Sequence, residues 1–109
     1  MKQAIVLRLQ DEGLASECKK RHDEIWPELV EEFAVSGIQD MEIFLRGKEV
    51  IIVSEVVDSQ AWTRLWASPV HKRWDQEMSR LLEYDGNTVR ADSLERVFSL
   101  SQHRRAVDA

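Results

Sequence analysis

His22 is the residue in this chain best suited to move a proton. An imidazole titrates near neutrality, so it both gives and takes a proton at physiological pH. It stands in "RHDEIWPEL", Arg21 to Leu29, with Trp26 one helical turn further on and Pro27 directly after that. At a spacing of i, i+4 both rings project from the same side of a helix. A proline in a helix interior costs about 3 kcal/mol and removes one hydrogen bond, so a bend is expected there. A bend that aims a histidine and an indole into a cavity costs stability and points to a site. A lone histidine also has a plainer reading, a buried ring satisfied by a backbone carbonyl, and periodicity does not separate the two.

The other reactive side chains are less specific. Trp74 is in register with Val70, Met78 and Leu81, which reads as core packing or as a wall of a pocket. Asp75 follows His71 at i+4, the spacing of a modest surface pair. Its functional alternative is a carboxylate that accepts hydrogen bonds from hydroxyl groups. Trp62 and Trp66 share the i, i+4 spacing and should pack together. Cys18 lies on the same apolar stripe as His22, where a cysteine acts as a small hydrophobe more often than as a nucleophile. Glu24 points away from His22, so no metal-binding spacing is formed. The chain has no GxGxxG, P-loop or GxSxG motif.

The elements that must hold these residues can be read in order. "AIVLRL", Ala4 to Leu9, is rich in β-branched and aliphatic residues and predicts a strand. Leu14, Cys18, His22, Ile25, Leu29 and Phe33 recur at spacings of four, four, three, four and four. That is one face of a helix, which should end at Gly37. "DMEIFLR" and "EVIIVSEVV" predict two strands, joined by a turn at Gly47 and Lys48. "DSQAWTRLWAS" predicts a short helix capped by Asp58 or Ser59. "SPVHKRWDQEMSRLLE" predicts a second helical segment, with Ser68 as its cap and Pro69 at its first position. "YDGNT" is a turn, "SLERVFSL" a fourth strand, and "SQHRRAVDA", residues 101–109, a flexible tail.

The order β-α-β-β-α-β is the ferredoxin-like, split βαβ arrangement of α+β proteins, here one domain over residues 1–100. Its helices cover one sheet face only, and the other face should be polar if it meets water. "VIIV", Val50 to Val53, is apolar on both faces; Leu7 and Leu9 alternate with Val6, and Met41 and Ile43 with Phe44. A second copy of the chain, packed sheet against sheet, is the expected cover. That gives a homodimer with a cavity between or beside the sheets. The alternative cover is the C-terminal tail.

Composition narrows the partners. The 109 residues carry a formal net charge of -5, which argues against non-specific nucleic-acid binding. The central strands also lack the aromatic pattern that stacks RNA bases. No stretch approaches the roughly 20 apolar residues needed to span a bilayer, and no secretory leader is read before Gln10. With one cysteine, neither an intrachain disulfide nor an all-cysteine zinc site is expected, and a reducing cytoplasm is the simplest compartment.

"KRHDEIWPEL", "SGIQDMEIFL", "VHKRWDQEM" and the closing "LERVFSL" resemble the L-rhamnose mutarotase family of small sugar mutarotases. The likeness runs from Met1 to about Leu100, and H-x-x-x-W-P-E is its most specific part. The resemblance implies a dimeric ferredoxin-like α+β barrel. It also implies cofactor-free interconversion of the α and β anomers of a 6-deoxyhexose, with His22 as proton donor. It places positions 18, 41, 74 and 75 in the sugar pocket. There the family has a tyrosine, a tyrosine and a tandem tryptophan pair. This chain has Cys18, Met41, and Trp74 followed by Asp75. "MEIF" and "RWDQEM" are similar to relatives that act on L-fucose. Trp26 and Trp74 would offer apolar faces to the sugar, and Asp75 would accept from ring hydroxyls or act as a second acid/base.

Mutarotation needs a proton placed on the ring oxygen and another taken from the anomeric hydroxyl, which suits histidine. Two other classes fit the same barrel. One is a haem- or quinol-type monooxygenase, which would show a visible band on adding haem. The other is a non-catalytic sugar-binding module, which would bind without speeding anomer exchange.

Overall fold

Alternating aliphatic residues put Lys2–Arg8 into the first strand, β1. The structure is a computed structural model that describes the backbone of residues 1–108 and the side chains of residues 1–104. A 3-10 turn at Glu12–Leu14, capped by the Asp11 carboxylate, leads into helix α1, Ala15–Asp23. Helix α2 follows at Pro27–Ser36, and strands β2, Ile38–Arg46, and β3, Glu49–Val56, form the hairpin. Helices α3, Ala61–Ala67, and α4, Pro69–Met78, come next. The chain closes with strands β4, Tyr84–Asp85, β5, Thr88–Val89, and β6, Asp92–Ser93, and helix α5, Leu100–Asp108.

The main sheet has the order β2-β3-β1-β6, with every neighbouring pair antiparallel. This is the ferredoxin-like arrangement. Registry aligns Ile43, Ile52 and Ile5 in one row and Phe44, Ile51 and Val6 in the next. Successive side chains alternate between faces. Ile5, Leu7, Ile43, Val50 and Ile52 therefore meet the helices and join Leu29, Trp62, Leu65, Trp74 and Met78 in the core. Val6, Ile51 and Phe44 fall on the opposite face, where Phe44 is largely exposed. Among the described residues, no helix is long and apolar enough to cross a membrane.

Four local expectations are corrected. The bent helix across Pro27 is two helices. Trp26, with φ -66° and ψ 131°, is extended, and Pro27 opens α2 at its first position. A proline forces its predecessor out of the helical region, while its missing N–H costs nothing at a helix start. The fourth strand, expected over residues 93–100, is confined to Asp92–Ser93, where it pairs with Ile5 and Val6. Beyond it Val97 and Phe98 are 88% and 63% exposed. The segment expected to be a flexible tail is helical over Leu100–Asp108. Asp58 does not cap α3 directly: its carboxylate accepts from the Gln60 N–H at 2.9 Å and from the Arg64 guanidinium, fixing the loop before the helix. Elsewhere the punctuation is as expected. Gly37 ends α2 at φ 100°, a left-handed cap that suits glycine. The Ser68 hydroxyl caps α4 by accepting from the His71 N–H at 3.3 Å.

Candidate functional site

The cavity lies between the sheet and its own helices. Ile5, Leu7, Met41, Ile43, Val50 and Ile52 form its floor, and the walls come from α1, α3, α4 and Phe33 of α2. The floor is made by the helix-facing residues of three adjacent strands, so strand periodicity alone makes it apolar. Polar groups enter from the helices.

Helix α1 contributes Cys18 and His22, one turn apart. The His22 Nδ1 lies 2.8 Å from the carbonyl oxygen of Cys18. A carbonyl only accepts, so Nδ1 carries the hydrogen and Nε2 is left with its lone pair or, when the ring is charged, with a second proton to give. The two readings of this histidine therefore coexist: the ring is satisfied by a backbone carbonyl, and it lines the cavity. The Cys18 Sγ lies 3.9 Å from the same Nδ1. Burial pushes the Cys18 thiol up from its ordinary value, so it stays protonated at neutral pH and is a poor nucleophile.

Helix α4 contributes His71, Trp74, Asp75 and Met78. The Trp74 ring stands edge-on to His22 at 5.5 Å between centroids, and edge-on to Trp26 at 5.3 Å. Such pairs hold ring orientation and are worth about 0.5–1.5 kcal/mol beyond area burial. Trp26 does not line the cavity. It braces Trp74 from behind, with the Arg73 guanidinium 6.0 Å from its ring centre. The structure thus brings Cys18, His22, Met41, Trp74 and Asp75 to one cavity and sets Trp26 outside it.

Asp75 is not in a surface pair with His71. The Tyr84 hydroxyl donates to Asp75 Oδ1 at 2.8 Å and lies 3.1 Å from its backbone carbonyl. Burial, followed by this bond to a carboxylate, pushes the Tyr84 phenol well above its ordinary value. The phenol is therefore a permanent donor that fixes the carboxylate. His71 is 9% exposed, and burial lowers its pKa, partly offset by the Asp75 charge. Two residues of the site escaped the sequence reading: His71, which lines the cavity, and Tyr84, which holds Asp75 from outside the lining. His71, Trp74 and Met78 follow one another at i, i+3 and i+7, so helical spacing does carry the signal for His71. Nothing in the sequence marks Tyr84 as Asp75's partner. Trp62, whose indole N–H donates to Ser54 Oγ at 2.9 Å, and Trp66 close the far wall. Among the described residues, no group of three or more His, Cys, Asp or Glu side chains is placed to hold a metal ion.

A half-buried imidazole with one nitrogen fixed, a fixed carboxylate acceptor and apolar or aromatic walls suit a small polyhydroxylated ring with a hydrophobic side. Comparison with known proteins agrees. A sequence model of the L-rhamnose mutarotase family matches residues 2–100. The L-rhamnose mutarotase of Flavobacterium johnsoniae is 36% identical over 91 residues, covering 81% of this chain and 85% of the relative. The crystal structure of L-rhamnose mutarotase FA22100 from Formosa agariphila superposes with a TM-score of 0.78 at 24% identity, covering 91% of this chain and 97% of that one. A dimeric ferredoxin-like protein from an uncultured marine organism shares the fold with a TM-score of 0.61 at 11% identity, over 90% of this chain and 95% of its own. The chain belongs to the L-rhamnose mutarotase family.

Proposed function

We propose that this protein interconverts the α and β anomers of L-rhamnose, with His22 as the proton donor to the ring oxygen and no cofactor. The observation that carries the reading is the His22 ring: Nδ1 is fixed by the Cys18 carbonyl, while the ring itself borders a cavity. A protonated Nε2 gives its proton to the pyranose oxygen, a base takes the proton of the anomeric hydroxyl as the C1–O5 bond breaks, and the aldehyde turns about C1–C2 before closing with both proton transfers reversed. Apolar floor residues take the C–H face and the 6-methyl group of a deoxy sugar, and Asp75 accepts from a ring hydroxyl. Saturation-transfer NMR of L-rhamnose is the test. Anomer exchange faster than in buffer is expected, with glucose slower. No acceleration for any 6-deoxyhexose refutes the activity.

Cys18, Met41 and Asp75 replace two tyrosines and a tryptophan of the family pattern, so L-fucose is expected to compete with L-rhamnose. Unpaired polar groups are what discriminate between sugars of equal size. The working form is a homodimer. Phe44 on the outer sheet face, and Leu94, Val97 and Phe98 in the segment after β6, leave apolar surface open on one protomer, and such exposed apolar surface calls for a cover. Sedimentation should show two chains at micromolar concentration; a stable monomer removes this part of the reading.

A further inference from the structure

We propose that His71 is the second proton-transfer group of this site, the one that takes the proton of the anomeric hydroxyl. The inference rests on the mutarotase reading above. Ring opening needs a base at O1–H at the moment an acid protonates O5, and one imidazole cannot serve both ends of one step. The titratable residues that line the cavity are Cys18, His22, His71 and Asp75. Cys18 is a buried thiol held in its protonated form. Asp75 Oδ1 already accepts from Tyr84, which suits a fixed binding group. The sheet floor and α3 contribute no titratable group, only Ile5, Leu7, Met41, Ile43, Val50, Ile52, Trp62 and Trp66.

His71 differs from all of these. It is nine-tenths buried, it borders the cavity, and neither of its ring nitrogens has a hydrogen-bond partner among the described residues. A buried polar ring without a partner is costly in a structure that satisfies such groups, and no side-chain nitrogen or oxygen among the described residues is both fully sealed from solvent and unpaired. The ring nitrogens are therefore not sealed off, and since His71 borders the cavity, a sugar hydroxyl bound there would supply the missing bond. Trp74, three residues further along α4, stands against His22, and both imidazoles border the same cavity.

The step balances without a co-reactant. Neutral His71 accepts the proton from O1–H as the C1=O1 bond forms. The C1–O5 bond breaks, its electron pair moves to O5, and O5 takes the proton of the His22 imidazolium. After rotation about C1–C2 the roles reverse: His22 takes the proton back from O5–H as O5 attacks C1, and O1 takes the proton from His71. Both rings return to their starting states with the anomer inverted. Burial keeps His71 neutral and His22 supplies the single proton that the pair shares.

The test compares wild-type protein with His71→Asn and His71→Gln by saturation-transfer NMR on L-rhamnose from pH 5 to pH 9. Both variants should lose about 100-fold or more in kcat with KM little changed. Their rates should no longer fall on the acid side, and added imidazole should restore part of the His71→Asn rate. A folded variant with wild-type kcat, or a loss confined to KM, overturns the assignment while leaving the mutarotase reading intact. Absence of exchange in the wild-type protein overturns both. If neither variant folds, the wild-type His71 Cε1–H resonance decides: saturating L-rhamnose should move it, and an unmoved resonance overturns the proposal.

Discussion

Replacing His22 by asparagine separates the catalytic role proposed for it from its structural contribution. The change forfeits the edge-on contact with Trp74, worth about 0.5–1.5 kcal/mol. It also forfeits the bond from Nδ1 to the Cys18 carbonyl, worth about 0.5–1.5 kcal/mol net. The combined loss of about 1–3 kcal/mol falls short of the roughly 5–15 kcal/mol that holds a domain together. His22→Asn should stay folded, with its thermal midpoint lowered by about 5–15 °C. The exchange rate should fall about 100- to 10,000-fold, equivalent to about 2.7–5.5 kcal/mol of barrier. Saturation-transfer NMR and a thermal melt on the same sample read the two effects. A folded His22→Asn protein exchanging L-rhamnose anomers at the wild-type rate refutes the reasoning and returns this ring to a purely structural role.

Pro27→Ala frees Trp26 from its extended conformation; the melt should change by about 1 kcal/mol or less, while Trp74 loses its fixed brace and the exchange rate falls several-fold. The double variant Cys18→Tyr, Asp75→Trp restores two family side chains and should raise the preference for L-rhamnose over L-fucose by about 10-fold or more; an unchanged ratio means that these positions do not read the sugar. A pH series of melts tests the burial of His71. Its folded-state pKa is lowered from the ordinary 6.5, so the unfolded chain binds more protons just below that pH. Stability should therefore drop as pH falls below about 6.5, and His71→Asn should flatten that slope.

Much of the scaffold was legible because each signal was local. Strand alternation, the apolar stripe from Leu14 to Phe33, Gly37 as a helix stop and Ser68–Pro69 as a helix start depend on residues within a turn or two of one another. The failures are places where a distant group decides. The i, i+4 spacing of His71 and Asp75 says nothing of Tyr84, which lies across a turn and takes the carboxylate. "SLERVFSL" has strand composition, but a strand exists only where it is paired, and β1 pairs only its first residue, Ser93, together with the preceding Asp92. Pro27 marked a disturbance correctly, yet whether the chain bends or breaks there depended on Trp26 reaching an extended conformation. At the site, helical periodicity put His22 on the inner face, and only packing revealed that Trp26 stands behind Trp74 and not beside the cavity.

The bond between the His22 ring and the Cys18 carbonyl divides one residue into two independent instruments. Position 18 sets the tautomer of the proton carrier through its main chain, and shapes the cavity through its side chain. Any residue that keeps helix α1 intact offers the same carbonyl in the same place. The pocket can therefore be re-cut at position 18, from a phenol to a thiol or to an aliphatic group, without detuning the acid four residues later. On the proposed reading of His22 as the acid, substrate range in this scaffold is free to drift while the proton chemistry stays fixed.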